Sequence, residues 1–116
     1  MTAEKQQRRE LGNMSNLVKG PLLQAHVLKL LQDKPLYGYA IMATLKKNLK
    51  INLNSSTVYP LLYKLEHDGL VISAWSFSCK RQKKIYVLTP RGKAVLVADV
   101  LELKMLVAPL LTVGAS

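Results

Sequence analysis

A chain of 116 residues has room for one domain and a single core. Its apolar share of 49% argues against a disordered polymer. The 17 Lys and Arg against 7 Asp and Glu leave a net charge of +10, which favours a polyanionic partner, nucleic acid ahead of a membrane surface. The lone cysteine, Cys79, excludes an internal disulfide and fits a reducing cytoplasm.

The first residues, MTAEKQQRRELGN, are polar and show no apolar stripe, so residues 1–14 are expected to form an arm. They also lack the apolar core of a secretory leader, and none is expected. Gly20-Pro21 opens a first helix, with Leu23, Val27, Leu30 and Leu31 on one face and Asp33-Lys34-Pro35 as its stop. His26 reads as a core-edge residue. A second helix is expected from Tyr37 to Leu49, with Ile41, Met42, Leu45 and Leu49 facing inward. Lys46, Lys47 and Lys50 lie near its C-terminus, where the helix dipole favours cations.

The third helix is NSSTVYPLLYKLEHDGL, residues 54–70. Val58, Leu61, Leu62 and Leu65 form its inward face, and Asp68-Gly69 supplies its stop. Ser56, Tyr59, Pro60, Tyr63, Lys64 and His67 are left outside. The run Asn54 to Thr57 offers four capping side chains where one is enough, so Ser55, Ser56 and Thr57 become candidates for contact with DNA. Tyr59 and Tyr63 can reach phosphates through their hydroxyls, although Tyr59 can equally pack at the domain's edge. Lys64 is a candidate phosphate contact. Pro60 removes a backbone donor several residues into this helix, which leaves the carbonyl of Ser56 without a helical partner.

LVISAWSF and KIYVL, residues 70–77 and 84–88, are rich in β-branched and aromatic residues and predict a two-stranded hairpin. Its loop is strongly basic. Lys80, Arg81, Lys83 and Lys84 put four cations within five residues, and such a loop suits backbone phosphates. The charge tally agrees, with +5 over residues 15–54 and +6 over residues 73–93. Thr89-Pro90 caps and starts a last helix. Within it Leu96, Val100, Leu103, Val107 and Leu110 recur at alternating spacings of four and three, and Ala94, Ala98, Leu101, Met105 and Ala108 repeat the pattern one face over. Two adjacent apolar seams exceed what one small domain covers, so the first seam is expected to pair with a second copy. Asp99, Glu102 and Lys104 interrupt the tract 94–113 and exclude a membrane span.

These elements predict a mainly α chain with a two-stranded β wing. The expected units are an arm (1–14), a winged helix-turn-helix (15–89) and a C-terminal dimerisation helix (90–116). In that arrangement the third helix enters the major groove while the wing follows the backbone. His26 and His67 have no companions at metal-ligand spacing, and nothing forms a Gly-rich phosphate loop or a nucleophile–base pair. Neither cofactor, metal nor catalysis is expected.

The segments LVKGPLLQAHVLKLL, PLYGYAI, STVYPLLYKLEHDGLV, Trp75 and KKIYVLTPRGKAVL, taken in order over residues 17–96, resemble the PadR family of transcriptional regulators. The resemblance implies a winged-helix repressor, dimeric through its C-terminal helix, that binds a pseudo-palindromic operator on double-stranded DNA. It further implies release by a small aromatic or apolar effector, and places the chain in the short subgroup with one C-terminal helix. By position, Thr57, Tyr59 and Lys64 fall in the recognition helix, and Arg81, Lys83 and Lys84 in the wing. An effector pocket is expected near Trp75 and Val97, although Trp75 also reads as a core anchor. The chain departs from the family pattern at Ala40, where an acidic residue is usual, at Ser55-Ser56, where Pro-Gly is common, and around Arg81, where Gly and Pro are absent. A protein-interaction adaptor that offers the same basic surface to an acidic partner is the competing reading.

Overall fold

In the computed structural model, residues 20–77 and 83–112 are described. The arm, Cys79 and the loop cations Lys80 and Arg81 lie outside them. The elements in order are helix α1 (Pro21–Asp33), strand β1 (Leu36–Tyr37), helix α2 (Gly38–Leu49), helix α3 (Ser55–His67), strands β2 (Val71–Ser76) and β3 (Lys83–Leu88), and helix α4 (Pro90–Val107). A 3₁₀ helix, Ala108–Thr112, follows α4 directly.

The helices start where the chain's punctuation places them. Pro21 occupies the first turn of α1, where its missing N–H costs nothing. At the end of α3 the Gly69 amide donates to Glu66 O at 3.0 Å and the Leu70 amide to Leu65 O at 2.9 Å, with Gly69 at φ 76°. This closing turn needs a residue that tolerates the left-handed region, and glycine does so freely. Thr89 caps α4 as expected: its hydroxyl oxygen accepts from the Gly92 amide at 2.9 Å. The last helix is shorter as an α-helix than the apolar tract suggests. Pro109 has no N–H to continue the α pattern, and the chain tightens into a 3₁₀ turn from Ala108.

The expected two-stranded wing is a three-stranded antiparallel sheet in the order β1-β3-β2. Leu36 and Tyr37, read from sequence as a linker and a helix start, pair with Tyr86 and Ile85. Two residues between a proline and a glycine are too short to show alternation, so this strand leaves no periodic signal. The hairpin register sets Trp75 opposite Lys84 and Ser76 opposite Lys83. Lys83 and Lys84 therefore belong to β3 itself.

One core joins all these elements. Leu23, Val27 and Leu28 of α1 meet Ile41 and Leu45 of α2, and Val58, Leu62 and Leu65 of α3 close the layer. Val71 and Tyr86 seal it from the sheet, and Leu96 from α4. The expected inward residues Leu30, Met42, Leu49 and Leu61 are half-buried at its margin. Three helices with a small sheet packed on the third make a winged helix-turn-helix.

The entry of α4 is the tightest joint. A Cβ on Gly92 would stand 2.0 Å from the Leu70 carbonyl oxygen and 2.7 Å from a Leu88 methyl. Gly92→Ala is therefore expected to destabilise the fold by about 3 kcal/mol, lowering Tm by about 10 °C or more in thermal unfolding. Lys93→Ala, one residue on and exposed, leaves Tm nearly unchanged.

Candidate nucleic-acid interface

With Val58, Leu62 and Leu65 buried, the far side of α3 carries Ser56, Pro60, Tyr63 and His67 in one line of helical spacing, all exposed. Tyr63 is 75% exposed. The other expected recognition residues lie on the flanks. Tyr59 faces the sheet, Lys64 faces α4 alongside Asp99 and Glu102, and Thr57 is half-buried.

The opening turn differs from the capping expected of it. Asn54 stands at the N-cap position, yet its side chain bonds no backbone amide. Its Oδ1 instead accepts from Ser56 Oγ at 2.5 Å and Thr57 Oγ1 at 3.3 Å. The hydroxyls compete successfully for the oxygen that would otherwise cap. The Asn54 carbonyl takes the amides of Thr57 and Val58, and no described group takes those of Ser55 and Ser56. Two open amides at a helix N-terminus are suited to an anion. Pro60 lies inside an unbroken helix, so the fourth-back carbonyl, that of Ser56, loses its usual donor.

Beside this turn a cleft of about 330 Å³ opens between α3 and the sheet, lined by Tyr37, Tyr39, Tyr59, Trp75, Tyr86, Lys83 and Lys84. Gly38 shapes it, because a Cβ there would come within 2.9 Å of the Tyr59 ring. The rings of Tyr37 and Tyr39 stack with centroids 5.9 Å apart. Lys83 Nζ stands over both, 5.5 Å and 5.0 Å from their centroids. Its ammonium is held by π-faces, and among the described residues no carboxylate pairs with it. It keeps its charge available to an outside anion.

Lys84 is placed differently. Its Nζ lies 3.5 Å from Glu66 Oε1 and 5.9 Å from each of the Trp75 and Tyr86 ring centroids. Burial first, then the nearby Glu66 and Tyr59, push the Tyr86 phenol above its ordinary value, so it stays neutral. Tyr37, Tyr39 and Glu66 gained no role from sequence. An aromatic pair astride a glycine was the available signal for the first two. Glu66 gave none, since its partners Ser73 and Lys84 belong to the two strands of the wing and meet it only when the sheet packs on α3.

Leu96, first in the seam expected to meet a second copy, is buried in its own core, and Leu103 is half-buried against it. Val100, Val107 and Leu110 are exposed. Trp75 lines the cleft, whereas Val97 stands exposed on α4 and is no part of its lining. A groove of about 690 Å³ lies instead between α1, α3 and α4, with Leu61, Leu103, Leu106 and Leu110 among its walls. Among the described residues no cluster of His, Cys, Asp and Glu is suited to a metal, and no helix is long and apolar enough to cross a membrane.

Comparison with known proteins meets this geometry. The family model described as the transcriptional regulator PadR-like family matches residues 27–98. A transcriptional regulator of Mycobacterium tuberculosis, Rv3488, is 30% identical over 77 residues, covering 66% of this chain and 71% of that protein. The crystal structure of a PadR family regulator from Eggerthella lenta superposes with a TM-score of 0.78 at 27% identity, over 94% of this chain and 96% of its own. Bacillus subtilis PadR in complex with operator DNA superposes with a TM-score of 0.61 at 31% identity, over 66% of this chain and 44% of its own. The matched segment contains α2, α3, the sheet and the start of α4, and with them the whole candidate interface. The chain belongs to the PadR-like family of transcriptional regulators, which are not enzymes.

Proposed function

We propose that the chain is a homodimeric, sequence-specific DNA-binding repressor of the cytoplasm, with α3 as its groove helix and β2–β3 as its wing. The observation that carries this reading is the outer line of α3. Ser56, Pro60, Tyr63 and His67 stand clear of the fold, beside two backbone amides and a lysine that, among the described residues, have no hydrogen-bond acceptor and no carboxylate partner respectively. Such a surface offers short polar groups to base edges and positive charge to the flanking phosphates. The likeness to a relative whose structure holds operator DNA supports it.

Dimerisation rests on α4. Val97, Val100, Leu101 and Met105 are each at least half exposed on one side of α4, a helix in which only Gly92 and Leu96 are buried. A continuous apolar face of this kind belongs against another surface, and a second copy presents a matching one. Two copies then set two recognition helices on successive turns of a pseudo-palindrome. Release by a small aromatic or apolar effector suits the groove between α1, α3 and α4, because Leu61 and Lys64 of the recognition helix line it. An occupant there touches the element that reads DNA.

Fluorescence anisotropy with duplexes from an operator selection is the direct test. Salt-sensitive, sequence-selective binding is expected, and binding that no duplex competes away but an acidic protein does would favour the adaptor reading instead. Lys83→Ala should weaken all sequences alike and reduce the salt slope by about one ion, whereas Ser56→Ala should change sequence preference. For the dimer, Leu101→Asp is expected to sediment as a monomer and lose operator affinity by about tenfold or more, since the half-sites are no longer bound together. A wild-type chain that sediments as a monomer at micromolar concentration would exclude the dimer.

A further inference from the structure

Lys83 and Lys84 are neighbours in sequence and look interchangeable as phosphate contacts. Their surroundings separate them. Both line the cleft beside α3, but Lys83 Nζ lies over the Tyr37–Tyr39 stack, whereas Lys84 Nζ reaches α3 itself. There it meets Glu66, which emerges from the sheet-facing flank of α3. Ser73 Oγ also donates to this carboxylate, at 2.6 Å from both oxygens. Glu66 therefore receives groups from both strands of the wing, Ser73 from β2 and Lys84 from β3. Trp75 and Tyr86 cover Lys84 from the side, and both charged side chains are only about one-third exposed.

We propose that Glu66 is a positioning residue, a brace that sets the angle between the recognition helix and the wing through Ser73 and Lys84, and that Lys84 belongs to this brace and is not a phosphate ligand. The inference rests on the DNA-binding reading for its consequence and on geometry alone for its cause. Helix and wing must engage a groove and its flanking backbone at the same time. Their relative angle is therefore as much a binding determinant as any contacting side chain. A carboxylate beside a phosphate-facing surface opposes binding electrostatically, so its presence there fits a structural duty, with Lys84 neutralising it.

The two roles of Lys84 predict opposite responses. Glu66→Gln keeps an acceptor for Ser73 but loses the ion pair. If Lys84 gripped phosphate, removing the adjacent anion would tighten binding. With Glu66 as the brace, operator affinity falls about fivefold, mainly through faster dissociation. Asp68→Asn, an exposed carboxylate two residues on, adds the same charge without touching the brace and serves as the reference. Lys84→Met should weaken operator binding with the salt slope unchanged, whereas a phosphate ligand would reduce that slope by about one ion, as at Lys83. Lys84→Arg, which retains both the pair and the ring contacts, should restore affinity.

Trp75 is the chain's sole tryptophan and lies against Lys84, so its fluorescence reports on the brace without DNA. Steady-state anisotropy of Trp75 should fall in Glu66→Gln and Lys84→Met and return in Lys84→Arg. Unchanged anisotropy in the first two variants would overturn the brace whatever the DNA data show. So would a Glu66→Gln protein that binds operator as tightly as Asp68→Asn, or a reduced salt slope in Lys84→Met. Should the wild-type chain bind no duplex selectively, the DNA reading fails by itself and the anisotropy still decides the brace.

Discussion

The carbonyl of Leu70 is the joint on which the geometry depends. It lies one residue beyond the turn that ends α3 and one before β2 begins. It accepts the Thr89 amide at 3.1 Å and shares the Thr89 hydroxyl, 3.0 Å away, with the Gly69 carbonyl at 2.7 Å, so the start of α4 is tied to the end of the recognition helix. Gly92 lets the first turn of α4 sit on that oxygen with no intervening side chain. One carbonyl thereby relates the helix facing outward, the wing beside it and the helix that leaves the domain. Adjacent carbonyls that hold an amide and a hydroxyl from one residue are costly to displace, which is what holds such a joint in one arrangement.

From this joint the sheet divides the basic surface into two populations. The face towards α3 carries Lys84 among Glu66, Ser73, Trp75 and Tyr86, and its charge is answered inside the chain. At the β1 end of the same cleft Lys83 stands on two tyrosine rings, which hold an ammonium in place without neutralising it. Net charge alone counts these residues alike. Attraction of a polyanion over distance depends on the total, but contact depends on which cations the fold leaves unpaired.

The last helix shows a similar division. Its apolar seam enters the domain core at Leu96, touches it again at the half-buried Leu103 and has left it by Val107, because a helix attached at Thr89 outruns a small globular body. Beyond that point the same seam faces outward, beside a groove that reaches the flank of α3 at Leu61 and Lys64. Surface available for association and surface that touches the recognition helix are thus contiguous.

Much of this organisation was legible in the residues. Helical spacing and punctuation placed α1 to α4 within a few residues, Thr89 and Gly69 announced their caps, and the order of motifs identified the family. These signals are local, since propensity, capping and periodicity act over one or two turns. The third strand, the pairing of Glu66 with Ser73 and Lys84, the room Gly92 leaves for Leu70, and the diversion of Asn54 from capping to its neighbours' hydroxyls were decided only in the folded chain. The first three join separate elements of the fold, and the last is a competition between donors, hydroxyl against amide, for one oxygen, whose winner depends on exact placement of the turn. Sequence determined which elements exist and what surface chemistry they carry; tertiary structure decided which of two adjacent lysines keeps its charge free, because that depends on where an anion from another element comes to rest.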